Sequence, residues 1–182
     1  MQQIRKSYGF VLLAVLATTF QAQAGPGTQQ KAFFEQLMAL CGATFVGEAV
    51  YPAEPGEAWR DQRLVATFAS CSPDEIRIPL AVGEDHSRTW VITQTTSGLQ
   101  LKHDHRHADG TPDEITQYGG TTTSAGTALA QSFPADADTI SLIPEARSNQ
   151  WFLSLSGDLD TLTYYLERHG APRFKAVFSR AD

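Results

Sequence analysis

The chain has 182 residues, of which 42% are hydrophobic and 19% are charged, and its formal net charge at pH 7 is −6. A chain of this length can bury a sizeable core in one domain. The excess of acidic residues repels phosphate backbones, so we expect no nucleic-acid partner.

The first residues have the pattern of a secretory signal peptide. Arg5 and Lys6 precede a short apolar core, and Ala22-Gln-Ala24 is a small-residue cleavage site. The apolar core is too short to span a bilayer. We therefore predict a signal peptide over 1–24 and a single periplasmic or secreted domain over 25–182, without stable membrane insertion. The alternative is an uncleaved anchor.

One helix is predicted at the start of the mature chain. Apolar residues recur at a helical spacing over 29–40, Thr28 is a candidate N-cap, and Gly42 follows at a plausible stop. We expect this amphipathic helix to lie against, or to plug, the structure that follows it.

The remaining sequence consists of short extended runs separated by turns. In the clearest run, Ile76, Ile78 and Leu80 alternate with their neighbours, which is typical of a half-buried strand. Residues 52–56 form a loop by composition. The candidate runs are 43–51, 63–72, 75–82, 88–96, 99–107, 114–118, 121–133, 140–143, 149–156, 161–169 and 173–180.

This pattern predicts an all-β protein of about eight to ten strands with one N-terminal helix. Helices long enough for parallel crossovers are missing, so the strands should be antiparallel. A meander of this size avoids exposed edges best by closing on itself. We predict an up-and-down barrel, with an open β-sandwich as the alternative.

Several segments resemble known proteins. The run Leu37-Met-Ala-Leu-Cys-Gly-Ala-Thr-Phe-Val-Gly-Glu48 and the hairpin 159–178 resemble the opening and the end of calycin-type (lipocalin-like) barrels. Residues 102–113, together with Tyr118-Gly-Gly120 and Phe133-Pro-Ala-Asp136, resemble small exported bacterial proteins of unassigned function. The resemblance implies a calycin-like barrel. The Gly-x-Trp signature of lipocalins is absent, so no functional residue is carried over.

Cys41 and Cys71 are the only cysteines. In an oxidising compartment, two cysteines indicate one disulfide bond. This bond would tie the end of the first helix to an early strand. The alternative is two buried thiols that never meet.

Three of the five histidines lie close together in the sequence. In a strand, His103, His105 and His107 share one face with Leu99 and Leu101. Imidazole is the commonest metal ligand, and alternate strand residues lie about 6–7 Å apart. Two of these histidines plus a further ligand would form a transition-metal site. Candidates for the further ligand are His86, His169, Asp109 and Glu114.

The histidines have a second interpretation as polar groups at the mouth of a barrel. On that basis we predict a non-catalytic protein that binds a small, partly apolar ligand in a barrel pocket. His103, His105 and His107 would orient the ligand, together with Arg106 if its side chain faces inward. The sequence carries no nucleophile motif that names a reaction.

Two other functions stay open. The first is a metal-binding protein or metal-dependent enzyme that uses the three histidines. The second is an envelope structural or partner-binding protein with a filled core, because the aromatic residues are numerous enough to fill a small barrel. The oligomeric state is not indicated.

Overall fold

The structure is a computed structural model that describes residues 26–51 and 59–182. The predicted signal peptide and the predicted loop at 52–56 lie outside the described residues. The described elements are α1 (Thr28–Ala39), β1 (Thr44–Tyr51), β2 (Leu64–Thr67), β3 (Ser70–Cys71), β4 (Glu75–Val82), β5 (Asp85–Thr95), β6 (Gly98–His105), β7 (Tyr118–Thr121), β8 (Ala130–Pro134), α2 (Ala137–Leu142), a 3₁₀ turn (Pro144–Ser148), β9 (Asn149–Leu155), β10 (Thr161–Arg168) and β11 (Ala171–Arg180).

The described strands form one antiparallel sheet that curls into a nearly closed barrel. Its strand order is β7-β6-β5-β4-β2-β1-β11-β10-β9-β8, and the short β3 pairs with β4. Most neighbours are joined by tight turns, as in the long hairpins β4–β5, β5–β6 and β10–β11. The prediction of an all-β, antiparallel barrel with an N-terminal helix is confirmed.

The seam between β7 and β8 closes through close backbone contact. Gly120 bridges to Ala135, and a Cβ placed on Gly120 would lie 2.0 Å from the carbonyl oxygen of Pro134. Next to it, the Thr139 hydroxyl accepts from the amide of Gly119 (2.7 Å) and donates to its carbonyl (2.8 Å). A buried side chain of α2 therefore replaces part of the missing ladder.

Helix α1 packs across one end of the barrel. Phe33, Phe34 and Leu37 are buried, and the side-chain amide of Gln30 donates to the Thr122 hydroxyl (2.9 Å). The helix follows the hydrophobic spacing that predicted it, although its N-cap is Gly27 rather than Thr28. Of the two arrangements predicted for this helix, lying against the barrel or plugging it, α1 has the second, because its buried face covers one end of the barrel.

Cys41 and Cys71 form the predicted disulfide bond. It joins the turn after α1 to β3, across a sequence separation of 30 residues. Such a bond is typical of proteins in non-reducing compartments. None of the helices in the described part of the chain has the length and apolarity needed to cross a membrane.

Side chains fill the barrel interior. The inward-facing residues of the strands and the buried face of α1 make one hydrophobic cluster. The largest fully buried side chains in it include Trp90, Trp151, Phe45, Phe133 and Phe178. Barrels of this size lie at the margin between a filled and a hollow interior, and this one is filled.

The second half of the chain departs from the predicted strands in three places. Residues 140–143 lie at the end of α2 and the start of the turn that follows, because Asp136 caps the helix by accepting from the amide of Thr139. Strand β7 begins at Tyr118 rather than at residue 114. The predicted run 121–133 is not one strand, because β8 begins only at Ala130. The threonines in this run had led to the longer prediction.

Candidate functional site

A polar group of residues lies at the end of the barrel opposite α1, which we call the mouth. Strands β6 and β10 end here at His105 and Arg168, and strands β7 and β9 begin here at Tyr118 and Asn149. These residues continue the inward-facing rows of their strands, because side chains alternate along each strand. The hydrophobic rows of the interior thus end in polar side chains.

These residues line a cleft of about 310 Å³. Its walls combine five apolar and five polar side chains. The lining residues are Ile115, Ile143, Ala146, Trp151 and Leu166, together with His105, Asp113, Tyr118, Asn149 and Arg168. A cleft that combines apolar surface with several converging polar groups has the character of a small-molecule site.

The pairing of β9 with β10 positions Arg168. Asn149 and Arg168 are direct partners in this register, and the Nε of Arg168 donates to the Oδ1 of Asn149 at 2.8 Å. Asn149 is 6% exposed, so its side chain is fixed within the wall. One step further in, Leu166 pairs with Trp151 and forms the apolar part of the cleft.

His105 and Tyr118 form another part of the wall, on strands β6 and β7. The Tyr118 hydroxyl lies 3.3 Å from the Nε2 of His105, and their rings meet edge to face at 5.2 Å. Burial lowers the pKa of His105, and the Arg88 charge adds to this effect. Burial raises the pKa of Tyr118 to about 12. At neutral pH the site therefore presents an uncharged imidazole and a protonated phenol.

His103 lies behind this wall, inside the barrel. Its Nδ1 lies 3.1 Å from the backbone carbonyl of Tyr118, which can only accept, so Nδ1 carries the proton. Nε2 then accepts from the Tyr164 hydroxyl at 2.8 Å. Burial lowers the pKa of His103 to about 3, so the ring is neutral and both nitrogens are engaged.

Stacked aromatic rings support the site from beneath. The ring of His103 stacks on Tyr118 at 4.7 Å, and Trp90 stacks on Tyr164 at the same distance. Trp59 packs edge-on against Phe174 at 5.0 Å. These contacts fill the space between the cleft and the barrel interior.

Three of the four predicted ligand-binding residues do not line the cleft: His103 lies behind its wall, and His107 and Arg106 lie away from it. Strand β6 ends at His105, and His107 lies in an exposed turn where its amide donates to Thr111. It therefore does not continue the inward row as predicted. Arg106 faces outward and pairs with Asp104, so the condition for its role as an inward-facing ligand residue is not met.

The outward face of β6 has its own ion pairs, of which only the Asp104 carboxylate is buried. Asp104 is 3% exposed and accepts from Arg77 (2.6 Å) as well as from Arg106. Lys102 pairs with Asp136 at 2.7 Å, next to the barrel seam. These pairs stabilise the outer surface of the strand, and none of their side chains lines the cleft.

The predicted metal site stays a prediction. His86, His169, Asp109 and Glu114 are all exposed, and none of them lines the cleft. Over residues 26–51 and 59–182, no group of three or more histidine, cysteine, aspartate or glutamate side chains is placed to hold a metal ion. His103 would have to give up its Tyr164 hydrogen bond to become a ligand.

The comparisons with known proteins bring no match: no family model fits the chain, and no curated protein is significantly similar to it. The barrel is consistent with a calycin-like fold on its topology alone.

Sequence reasoning placed His103, His105 and His107 at the mouth, although only His105 lines the cleft, and it missed Tyr118, Asn149 and Arg168. A signal for Arg168 was present. Leu162, Tyr164 and Leu166 alternate through β10, and Arg168 is the next residue on their face. Asn149 and Tyr118 lacked such a signal, because their contacts depend on which strands become neighbours.

Proposed function

We propose that this is an exported, calycin-like, non-catalytic protein that binds a small, partly apolar ligand in the cleft at the mouth. The observation that carries the proposal is the composition of the cleft. Leu166, Ile143 and Ile115 offer apolar surface, while His105 and Arg168 offer polar groups from strands β6 and β10. Its volume of about 310 Å³ falls at the lower end of the range for ligand sites.

The packed interior favours the mouth over the centre of the barrel as the ligand position. Trp90, Trp151 and Phe178 occupy the space that a hollow barrel would offer to a ligand. Trp151, which borders the cleft, is itself only 2% exposed. The ligand would therefore be small and would keep one side towards solvent.

The protonation states of the cleft suit hydrogen bonding to a ligand. Tyr118, with a pKa of about 12, stays protonated at neutral pH and is a hydrogen-bond donor. His105 has a lowered pKa and is neutral there. A protonated phenol and a neutral imidazole can therefore donate and accept hydrogen bonds with a bound ligand.

A periplasmic or secreted location supports this function. The Cys41–Cys71 bond needs a non-reducing environment to persist. The signal-like pattern at the start of the chain agrees with export. In such a setting, a disulfide-linked barrel with a preformed cleft would take up a ligand without a large change in backbone structure.

Fragment binding followed by amide chemical shifts tests the proposal. A panel of small aromatic and aliphatic fragments is added to the labelled protein, residues 25–182. We expect shifts at His105, Tyr118 and Arg168. Ile115→Ser removes apolar surface at the rim and should weaken binding about fivefold. Val50→Ser is the matched control, because Val50 is similarly exposed (41%, against 44% for Ile115) and lies outside the cleft.

If no fragment shifts the amide signals of the cleft residues, the proposal is overturned. Equal affinities for the two variants would also overturn it, because the cleft would then not be the site. The packed interior favours one second candidate, the envelope structural or partner-binding protein with a filled core. A binding-inactive cleft would favour that candidate.

A further inference from the structure

The guanidinium of Arg168 is held in place but is not neutralised. Its Nε is bound by the buried Oδ1 of Asn149, which fixes the plane of the group at the cleft wall. In the described part of the chain, no ion pair engages Arg168, and its two terminal nitrogens have no hydrogen-bond partner there. An oriented guanidinium with two free terminal nitrogens is a site for a planar anion.

The surroundings of Arg168 strengthen such an interaction. Leu166 and Trp151 lie beside it on the same wall, and Ile143 lines the cleft with them. Apolar neighbours lower the local dielectric constant, and a charge-assisted hydrogen bond gains strength there. Asn149 already fixes the Arg168 side chain, so less conformational entropy is lost when an anion binds.

The charge of the cleft selects among anions. Asp113 also lines the cleft, and its Oδ1 accepts from the amide of Ile115. One arginine against one aspartate leaves no excess of positive charge for a dianionic phosphate ester. A monoanionic carboxylate matches the two terminal nitrogens of Arg168 in geometry and brings only half the negative charge of a dianionic phosphate ester into the cleft.

We propose that the ligand is a small carboxylic acid with an apolar body, whose carboxylate is bound end-on by the terminal nitrogens of Arg168. Its apolar body packs against Leu166 and Ile143. Tyr118 and His105, which line the same cleft, orient any polar substituent of that body. This inference rests on the proposed binding function and names the class of ligand.

Matched pairs of acids and amides test the inference directly. One pair is hydrocinnamate and hydrocinnamamide, which share a phenyl ring on a short chain and differ in charge. Affinities are measured by amide shift titration with the protein over residues 25–182. We expect each acid to bind about tenfold more tightly than its amide, because charge-assisted hydrogen bonds are the stronger kind.

Substitutions at Arg168 show whether this residue is responsible. Arg168→Met should bring acid and amide to equal affinity. Arg168→Lys keeps the charge but not the paired nitrogens, so it should keep only part of the preference. Arg173→Met is the matched control, because Arg173 is an exposed arginine outside the cleft. If Arg168→Met fails to fold, Arg168→Lys still tests the inference.

The outcomes separate the inference from the proposed function. Acids and amides that bind the cleft equally would overturn the inference and leave the binding function standing. A preference for the acid that persists in both Arg168 variants would also overturn the inference. Inorganic phosphate that displaces a bound fragment better than acetate does would assign the site to phosphates instead. No shift at the cleft with any compound would overturn both.

Discussion

Because His103 is buried, we predict that the protein loses stability between neutral pH and pH 5. Burial lowers its pKa from 6.5 to about 3, so the folded protein keeps the ring neutral. The unfolded chain takes up a proton near pH 6.5. The stability that this residue contributes is therefore complete above pH 6.5 and is lost as the pH falls from 6.5 towards 3.

The size of this loss follows from the pKa difference. Each pH unit within the window costs up to about 1.4 kcal/mol, so the free energy of unfolding should fall by about 2 kcal/mol between pH 6.5 and pH 5. His105, whose pKa is also lowered, adds to the loss with the same sign. Asp85 and Asp136 have lowered pKa values too. The stability that they contribute is lost only as the pH falls below 3.8, the ordinary pKa of aspartate, so it does not affect the range between pH 6.5 and pH 5.

Urea unfolding at several pH values checks this prediction, with tryptophan fluorescence as the signal. His103→Gln keeps a donor for the Tyr118 carbonyl and an acceptor for the Tyr164 hydroxyl, but it does not titrate. This variant should show a flatter dependence on pH than the natural protein. His107→Gln is the control, because His107 is exposed, and it should follow the natural protein. Parallel curves for His103→Gln and the natural protein would refute the reasoning.

Three further substitutions test the fold by urea unfolding. Gly120→Ala should destabilise the seam by about 3 kcal/mol, because its Cβ would meet backbone carbonyls of β8; Gly157→Ala, with open space around it, should change little. The double variant Cys41→Ser, Cys71→Ser should lose about 3–4 kcal/mol, the loop-closure entropy of a 30-residue separation. Asp104→Asn should lose about 1–2 kcal/mol, since a nearly buried carboxylate then no longer pairs with its two arginines. Unchanged midpoints would contradict each account in turn.

The barrel could be predicted because its determinants are local. Strict alternation marked Glu75–Val82, and the same pattern gave β9, β10 and β11 to within two residues. Closure followed from the general need to avoid free sheet edges. The means of closure was not predictable, because Gly120 meets β8 only after ten strands have been placed.

Helix α2 shows where local patterns fail. A run of four residues at 140–143 is too short for periodicity to separate helix from strand. The deciding feature was the cap at Asp136, whose carboxylate accepts from the amide of Thr139. The helix also has a tertiary role, since the Thr139 hydroxyl completes the hydrogen bonding of Gly119. A local pattern could have found the cap but not the contact with Gly119.

The three histidines differ because they lie at different depths along one strand. His103 is enclosed by aromatic rings and has a pKa near 3, His105 is half-buried at the mouth, and His107 lies in an exposed turn after the strand has ended. The period of two gives the face on which a side chain lies, but not its distance from the end of the barrel. That distance sets the desolvation and hence the chemistry of each ring. The shared face led us to predict a single site formed by all three histidines. Because they lie at different depths, only His105 lines the cleft.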